Sequence, residues 1–236
     1  MNFSNRSKSI IIKYLPLLFA FYNLVIRHKV FIPQKSYADS GEDLFILKHF
    51  KRKKGFYVDV GCHHPTRINN CHLLYKKGWS GINIDINHIS IRLFNIMRRK
   101  DININSAVSL KEKNVKFFYD KLLSPYNSLV KQKDLKNSHY VKSETLSNII
   151  DKTKYKNKFI DFLSVDVEGK DLEVLKSLDF KRYKPKFICV EIWGESKNKN
   201  FKLIKSPIYK FLINKKYTLV FNKRENYIFK KKRASF

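Results

Sequence analysis

The stretch that decides the fold is Gly55–Asp85, GFYVDVGCHHPTRINNCHLLYKKGWSGINID. It contains an apolar strand at Phe56–Val60, a turn at Gly61, a helix that we expect to begin at Pro65, and a second apolar strand at Gly81–Asp85. This order is that of a βαβ unit, the repeating element of a doubly wound parallel sheet. Because ligands of such sheets lie outside the carboxyl ends of the strands, the stretch predicts a small-molecule cofactor site beside the turn.

The turn after the first strand indicates which kind of cofactor binds. A dinucleotide site uses several glycines, which let backbone N–H groups approach a pyrophosphate, but here Gly61 is followed by Cys62, His63 and His64. Asp85 ends the second strand, where a carboxylate can bind ribose hydroxyls. A nucleoside without phosphates fits this pattern, and S-adenosylmethionine (SAM) is the common one. The alternative is an ordinary βαβ unit in which Asp85 occurs by chance.

Four motifs extend this pattern along the chain. They are Tyr37–Leu44 (YADSGEDL), Phe56–Pro65 (FYVDVGCHHP), Gly78–Asp85 (GWSGINID) and Asp166–Gly169 (DVEG). In this order they resemble the motifs of the FkbM-type SAM-dependent methyltransferases, which are usually written YSQxGEDL, FYVDVGAxxP, GWxGxxID and DVEG. The resemblance covers roughly residues 36 to 230 and departs from the family at Ala38-Asp39, Cys62 and Asn69-Asn70. It implies a Rossmann-like class I SAM methyltransferase with an α/β fold.

The end of the chain supports the same fold class. Tyr217–Asn222 and Tyr227–Lys231 read as strands, and the connection Lys223–Asn226 is short enough only for an antiparallel hairpin. A mainly parallel, doubly wound sheet closed by such a hairpin is the arrangement of SAM methyltransferases. We expect further strands at Ile102–Val108, Asn114–Tyr119, Ile160–Val165 and Lys186–Ile192, and a long polar loop at Asp120–Tyr140. Within that loop Ser124–Ser128 is a candidate substrate lid, or else a plain surface insertion.

The amino-acid composition indicates which kinds of partner the protein could bind. The 236 residues suit one α/β domain, and the 49 basic and 20 acidic residues give a net charge of +29. Such a charge suggests an anionic membrane or nucleic acid, but dispersed lysines also describe a solvated surface. The three cysteines form no C-x-x-C pair, which indicates a reducing compartment. We expect no metal, because the adjacent residues Cys62-His63-His64 and Cys71-His72 rarely converge on one ion.

The N-terminal segment, residues 1–35, is set apart from the methyltransferase domain, residues 36–236. Residues 9–26, SIIIKYLPLLFAFYNLVI, are apolar and flanked by basic residues, but Lys13, Pro16 and Asn23 interrupt them. A membrane-spanning helix needs about 20 mainly apolar residues, so this is a poor span, and a signal cleavage site is not apparent. The open alternatives are a helix in the membrane interface, a helix packed on the domain, and a span. We expect a cytoplasmic protein attached peripherally to the inner face of the membrane.

Candidate site residues lie at the carboxyl ends of the expected strands, where carboxylates would complement a cationic methyl donor. For the cofactor we predict Asp59, Gly61, Cys62, His63 and Asp85, with Ser106, Ala107 and Val108 near the adenine. For catalysis we predict Asp166 as the base and Glu168 beside the methyl group, with His64 and Glu191 as alternative bases. Any one of these carboxylates could instead cap a helix or pair with a lysine.

The predicted function is O-methylation of a sugar hydroxyl in surface polysaccharide or glycolipid biosynthesis, because the resembled family is often linked to glycans. The alternatives are a methyltransferase acting on nucleic acid or on a small metabolite, and a glycan-binding protein that keeps the fold without catalysis. The sequence does not determine the acceptor, the methylated position or the oligomeric state.

Overall fold

The computed structural model describes residues 15–50, 54–120, 123–124, 127–131, 133–194 and 202–232. Its helices are α1 (Pro16–Phe21), α2 (Glu42–His49), α3 (His72–Lys76), α4 (His88–Met97), α5 (Leu146–Asp151), α6 (Asp171–Lys176) and α7 (Pro207–Asn214), with a π-helical segment at Tyr22–Arg27 and a 3-10 turn at Leu203–Lys205. Its strands are β1 (Phe56–Val60), β2 (Ser80–Asp85), β3 (Ile102–Asn105), β4 (Ala107–Val108), β5 (Lys113–Tyr119), β6 (Asn137–Glu144), β7 (Phe162–Val165), β8 (Phe187–Glu191), β9 (Tyr217–Lys223) and β10 (Asn226–Lys231).

A seven-stranded sheet with the order β3-β2-β1-β7-β8-β10-β9 forms the centre of the domain. The first five strands in this order pair in parallel, whereas β10 is antiparallel to both of its neighbours. The predicted doubly wound, mainly parallel sheet with a C-terminal antiparallel hairpin is therefore confirmed. Because the parallel strands point the same way, the residues that follow β1, β2, β7 and β8 meet at one edge of the sheet.

Both faces of the sheet are buried, as the near-continuous apolar strands require. On one face Val58 and Leu163 pack in a cluster that also contains residues of α5 and α6. On the other face Tyr57, Phe162 and Trp79 pack in a cluster that includes residues of α2 and α3. Successive strand residues point to opposite faces, so one strand supplies both layers of the core.

The helix predicted to begin at Pro65 begins instead at His72 and is short. The intervening loop is ordered by Asn69, whose Nδ2 donates to the Asp59 carboxylate (3.0 Å) and to the Cys62 carbonyl (3.1 Å). The loop is further held by Arg98, which donates to the Pro65 carbonyl (3.1 Å). These side chains satisfy the loop's polar groups without helical hydrogen bonds, which is why the prediction was wrong.

The predicted third strand, Ile102–Val108, is divided at Ser106. Its first half, β3, pairs with β2 in the central sheet, and its second half, β4, pairs with β6 in a separate three-stranded sheet of order β4-β6-β5. The predicted loop Asp120–Tyr140 is also shorter than expected, because β6 begins at Asn137 and runs antiparallel to β5. Most of β6 is exposed and polar, so it has no alternating apolar pattern that would predict a strand.

The described part of the N-terminal segment packs on the domain along one side. Ala20 and Leu24 are buried against Leu93 of α4. Leu17 and Leu18 are exposed. Within the described residues, no helix combines the length and the apolar character that crossing a membrane requires. Residues 9–14 of the predicted apolar segment lie outside the described part of the chain.

Candidate active site

A cleft opens at the carboxyl edge of the central sheet. Ligands of doubly wound sheets bind at this edge. Among its lining residues are Gly61, His63, Asp85, Ser90, Ser106, Ala107, Val108, Phe117, Ser124, Ser128, Asp166 and Glu168. The cleft therefore lies at the place that the βαβ unit predicts.

Asp85 forms the floor of one side of the cleft. Its Oδ2 accepts the backbone N–H of His63 and its Oδ1 accepts that of Asn87, both at 2.7 Å. Burial raises the pKa of Asp85 to about 6, although these two N–H groups oppose the shift. A carboxylate offers about four lone-pair sites, so both oxygens can still accept a hydroxyl of a ligand.

Gly61 allows the first turn to pass close to the neighbouring strand. Its φ is +79°, and a Cβ atom at this position would lie 1.7 Å from the Asp166 carbonyl oxygen. A side chain here would therefore push apart the two segments that border the cleft. The role of Gly61 is thus to permit a close approach of backbone, which does not itself require a ligand.

Ser90, in the first turn of α4, is a polar residue of the cleft that the sequence analysis missed. It is 1% exposed, it lines the cleft, and its Oγ has no hydrogen-bond partner among the described residues. An unpaired buried hydroxyl costs free energy, so it is a reason to expect a polar ligand at this point. The sequence pattern that could have revealed Ser90 is a small polar residue on the apolar side of α4, the helix that follows Asp85.

A further part of the cleft lining comes from the segment at which the predicted third strand is divided. Ser106, Ala107 and Val108 are buried and line the cleft, together with Phe117 of β5. The backbone N–H of Ser106 donates to the Asp85 carbonyl (3.1 Å), and this hydrogen bond joins the segment to the end of β2. This part of the lining is largely apolar, as a flat heterocyclic ring would require.

Asp59 and Cys62, both predicted to bind cofactor, do not line the cleft. Asp59 lies beneath the turn, where it accepts from Asn69, and burial raises its pKa to about 6. Cys62 is buried against Ile91 and Phe94. The structure therefore gives both residues a position behind the cleft rather than in it.

His64 also points away from the cleft. Its Nδ1 accepts the backbone N–H of Thr66 (3.2 Å), so its Nε2 is the protonated nitrogen and donates to Oδ1 of Asn23 (3.0 Å). Burial, the largest effect, lowers its pKa to about 2. Since both nitrogens are used and neither faces the cleft, we do not retain His64 as a candidate base.

Three carboxylates converge on the other side of the cleft. Oxygens of Asp166, Glu168 and Glu191 lie within 4.8 Å of one another. Asp166 follows β7 and Glu191 ends the adjacent strand β8. Glu168 joins them because its φ is +55°, in the left-handed region that an ordinary residue rarely adopts. Strained backbone of this kind persists where the surrounding structure holds it, and it concentrates at functional sites.

The cluster raises the proton affinity of its members. Burial is the largest effect on both Asp166 and Glu191: it raises the pKa of Asp166 well above its ordinary value, and that of Glu191 to about 8. The charges of Asp171 and Glu168 add to the shift of Asp166, and the charge of Asp166 adds to that of Glu191. Their titration belongs to the cluster rather than to one residue. Such a group can take up a proton near neutral pH.

Hydrogen bonds with two other residues hold the backbone of the carboxylate cluster in place. The Asp171 carboxylate accepts the backbone N–H groups of Val167 and Gly169, each at 3.2 Å. The hydroxyl of Ser128 donates to the Glu168 carbonyl (2.8 Å). These contacts hold Glu168 in its left-handed conformation. Ser124 and Ser128, the ends of the predicted lid, both border the cleft.

Trp193 lies beside this carboxylate cluster, and the sequence analysis missed it. Its indole Nε1–H donates to the Glu191 carboxylate, and its ring lies against Gly169, where an added Cβ would be 3.3 Å away. The residue is 37% exposed. The signal was the position of Trp193, two residues after the strand-ending Glu191.

The chain folds into a doubly wound α/β domain with a cleft at the carboxyl edge of its sheet. The model of the methyltransferase FkbM domain matches residues 59–212, more than half of the chain. The chain belongs to the FkbM methyltransferase family.

The chain also has a weak structural similarity to a solved methyltransferase. A TehB-like SAM-dependent methyltransferase from Corynebacterium glutamicum is 12% identical, with a TM-score of 0.43 over 92% of this chain and 97% of that chain. A TM-score of this size does not indicate a shared fold by itself. No curated protein sequence matches the chain significantly.

Proposed function

We propose that the protein is a SAM-dependent O-methyltransferase that acts on a sugar hydroxyl in the assembly of a surface polysaccharide or glycolipid. Membership of the methyltransferase family implies SAM as the methyl donor. The observation that carries the proposal is the cluster of Asp166, Glu168 and Glu191 at the edge of the cleft beside Asp85. A positioned carboxylate of raised pKa is what methylation of a hydroxyl requires.

The residues of the cleft fit SAM. Asp85 can accept ribose hydroxyls, and the unpaired hydroxyl of Ser90 can bond a polar atom of the nucleoside. Ala107, Val108 and Phe117 offer an apolar wall for the adenine. When bound, SAM supplies a methyl group on a positively charged sulfonium, which the nearby carboxylates favour electrostatically.

The chain's own contribution to the reaction is to orient the acceptor and to take its proton. Asp166 lines the cleft, so it is the first choice for the residue that receives the hydroxyl proton. Burial raises the pKa of Asp166 most, and the charges of Asp171 and Glu168 add to the shift because ionised carboxylates repel one another. Glu191 is the alternative base, since a pKa near 8 suits proton transfer close to neutral pH.

The acceptor side favours a neutral polyhydroxyl molecule. The partly exposed Trp193 can pack against the C–H surface of a sugar ring while adjacent carboxylates accept its hydroxyls. A nucleic acid would bring phosphates close to three carboxylates, so this alternative is disfavoured despite the net charge of +29. A small metabolite with several hydroxyls remains compatible with the same geometry.

The test is methyl transfer by the purified protein from SAM to a panel of glycosides, followed by detection of S-adenosylhomocysteine and mass spectrometry of the acceptor. A gain of one methyl group on a sugar oxygen is expected. SAM binding without turnover on any glycoside, but with transfer to RNA or DNA that falls steeply with salt, would favour the nucleic-acid alternative. Glycan binding without SAM binding would indicate a non-catalytic protein.

The use of the cluster as a base needs a separate control, because three carboxylates at this spacing could also hold a divalent cation. We expect turnover to survive EDTA. Loss of turnover that Mg²⁺ restores would instead assign Asp166, Glu168 and Glu191 to a metal site. Mass spectrometry of cell-surface glycans with and without the protein would then identify the natural acceptor.

A further inference from the structure

The described N-terminal segment carries several large exposed apolar side chains. Leu17, Leu18, Phe21, Ile26, Phe31 and Ile32 are each between 48% and 76% exposed. We call these six residues the N-terminal apolar surface. Single exposed apolar residues are common, but several of them grouped within one segment indicate an interaction site.

This surface is held by the fold and is not a poorly packed end. On the opposite side of the same segment, Ala20 and Leu24 are buried against Leu93 of α4. Asn23 is also buried, and it accepts a hydrogen bond from His64 in the loop that follows the cofactor turn. The segment is therefore anchored from beneath while its large apolar side chains point outward.

The charges around the surface are of one sign. The first 38 residues of the chain contain no acidic residue. Arg27 and Lys29 are exposed within the segment, and Arg67 is bonded to it through His28 (3.2 Å). Apolar side chains beside cations are the combination that binds the headgroup region of an anionic bilayer.

An apolar groove lies between α1 and α4, next to the same surface. Leu17, Ala20, Leu93 and Ile96 line it, and Arg92 also contributes to its wall. An apolar groove with a cation in its wall can take part of an acyl chain below an anionic headgroup. The groove shares Leu17 with the N-terminal apolar surface and extends the apolar region toward α4.

We propose that the N-terminal apolar surface docks on a bilayer that contains anionic lipids, with its leucine and phenylalanine side chains inserted between the headgroups. The adjacent cations contact lipid phosphates. The proposal does not depend on the methyl acceptor. Through Asn23 and His64 the docked segment touches the loop that carries His63 into the cleft, so the active site stays close to the membrane.

The test is co-sedimentation of the full chain with vesicles of phosphatidylcholine alone or mixed with phosphatidylglycerol. We expect binding to the mixed vesicles, with partial release at high salt because the interaction of surface charges is screened. The double substitution Leu17→Glu and Phe21→Glu should weaken this binding by at least about tenfold. Arg27→Glu should weaken it by about fivefold or more, and only with the anionic vesicles.

The matched control is Ile204→Glu, which places the same charge on a side chain that is 63% exposed but lies in the 3-10 turn before α7. It should bind vesicles as the unchanged chain does. Thermal unfolding of all variants checks that they are folded. Unchanged binding of the double variant, or no binding of the unchanged chain to anionic vesicles, would overturn the proposal. A concentration-dependent dimer abolished by the double substitution would assign the surface to contact between two copies.

Discussion

The carboxylates on the two sides of the cleft differ in their hydrogen-bond partners and in their pKa values. On the side of Asp85, each carboxylate oxygen accepts a fixed backbone N–H, and burial raises the pKa of Asp85 to about 6. On the other side, oxygens of Asp166, Glu168 and Glu191 lie within 4.8 Å of one another, and burial together with the charge of Asp166 raises the pKa of Glu191 to about 8. Backbone dipoles stabilise the ionised form, whereas neighbouring charges oppose it. We infer that the first side is suited to hold a ligand and the second to receive a proton.

The largest effect should come from removing the proton acceptor. Asp166→Asn keeps the size of the side chain, so SAM affinity should stay within a few fold while turnover falls by about 10² to 10⁴, the usual contribution of a positioned base. Turnover at saturating SAM and calorimetry separate the two quantities. Loss of SAM affinity with turnover retained would make Asp166 a cofactor ligand and move the base to Glu191.

The next effect concerns the other side of the cleft. Asp85→Ala should weaken SAM binding by about 1–3 kcal/mol, because hydrogen bonds to a charged group are lost, while turnover at saturating SAM changes little. The control Asp85→Asn keeps the shape and should weaken binding less. Calorimetry with SAM and with NAD measures the affinities, and unfolding curves confirm that the loop remains ordered. Tight binding of NAD without a response to SAM contradicts the assignment.

The proton affinity of the cluster predicts a pH dependence. Turnover should rise up to about tenfold per pH unit below an apparent pKa near 8 and then level off. Glu191→Gln removes one charge from the cluster, so the remaining titration should move to lower pH. An unchanged profile in this variant would show that Glu191 does not influence the base.

The raised pKa of Glu191 also predicts how the free energy of unfolding depends on pH. The folded-state pKa of Glu191 is raised from 4.5 to about 8, so its contribution to stability is present below pH 4.5 and is lost as pH rises through 8. The free energy of unfolding should therefore fall across this window by at most about 1.4 kcal/mol per pH unit for this group. Denaturant unfolding of Glu191→Gln at several pH values should show a smaller decline.

The smallest predicted effect concerns Ser90. Because its buried hydroxyl has no partner among the described residues, Ser90→Ala should leave the cofactor-free protein equally stable or more stable. The same substitution should weaken SAM binding by about 2- to 10-fold, the equivalent of one hydrogen bond. Opposite signs of the two effects distinguish a ligand-binding hydroxyl from a structural one. Reduced stability with unchanged affinity would contradict the prediction.

The sequence predicted the strands that form the cleft, because their signal is local. Phe56–Val60 and Phe187–Glu191 are almost continuous apolar runs, and they end on or just before a turn. Where the local signal was absent, the prediction failed. The helix expected at Pro65 is a loop, since the polar groups there are bonded by Asn69 and Arg98, which no local pattern reveals.

Side-chain directions in the turns could not be predicted either. His64 and His63 are adjacent, yet His63 lines the cleft and His64 is turned to Asn23, which is 41 residues away in the chain. The left-handed backbone at His63 separates them, with a φ of +50°. In a strand, alternation would have placed adjacent residues on opposite faces, but no such rule holds in an irregular turn.

By itself, therefore, the sequence determined the order of the apolar strands, the closing hairpin and the presence of carboxylates at one edge of the sheet. These follow from short-range periodicity and from the parallel direction of the strands. Only the tertiary structure decided which carboxylates meet. Glu168 turns toward Glu191 because Ser128, 40 residues away, and the nearby Asp171 hold its backbone. The contact with Ser128 joins distant residues, and such a contact has no periodic signature in the chain.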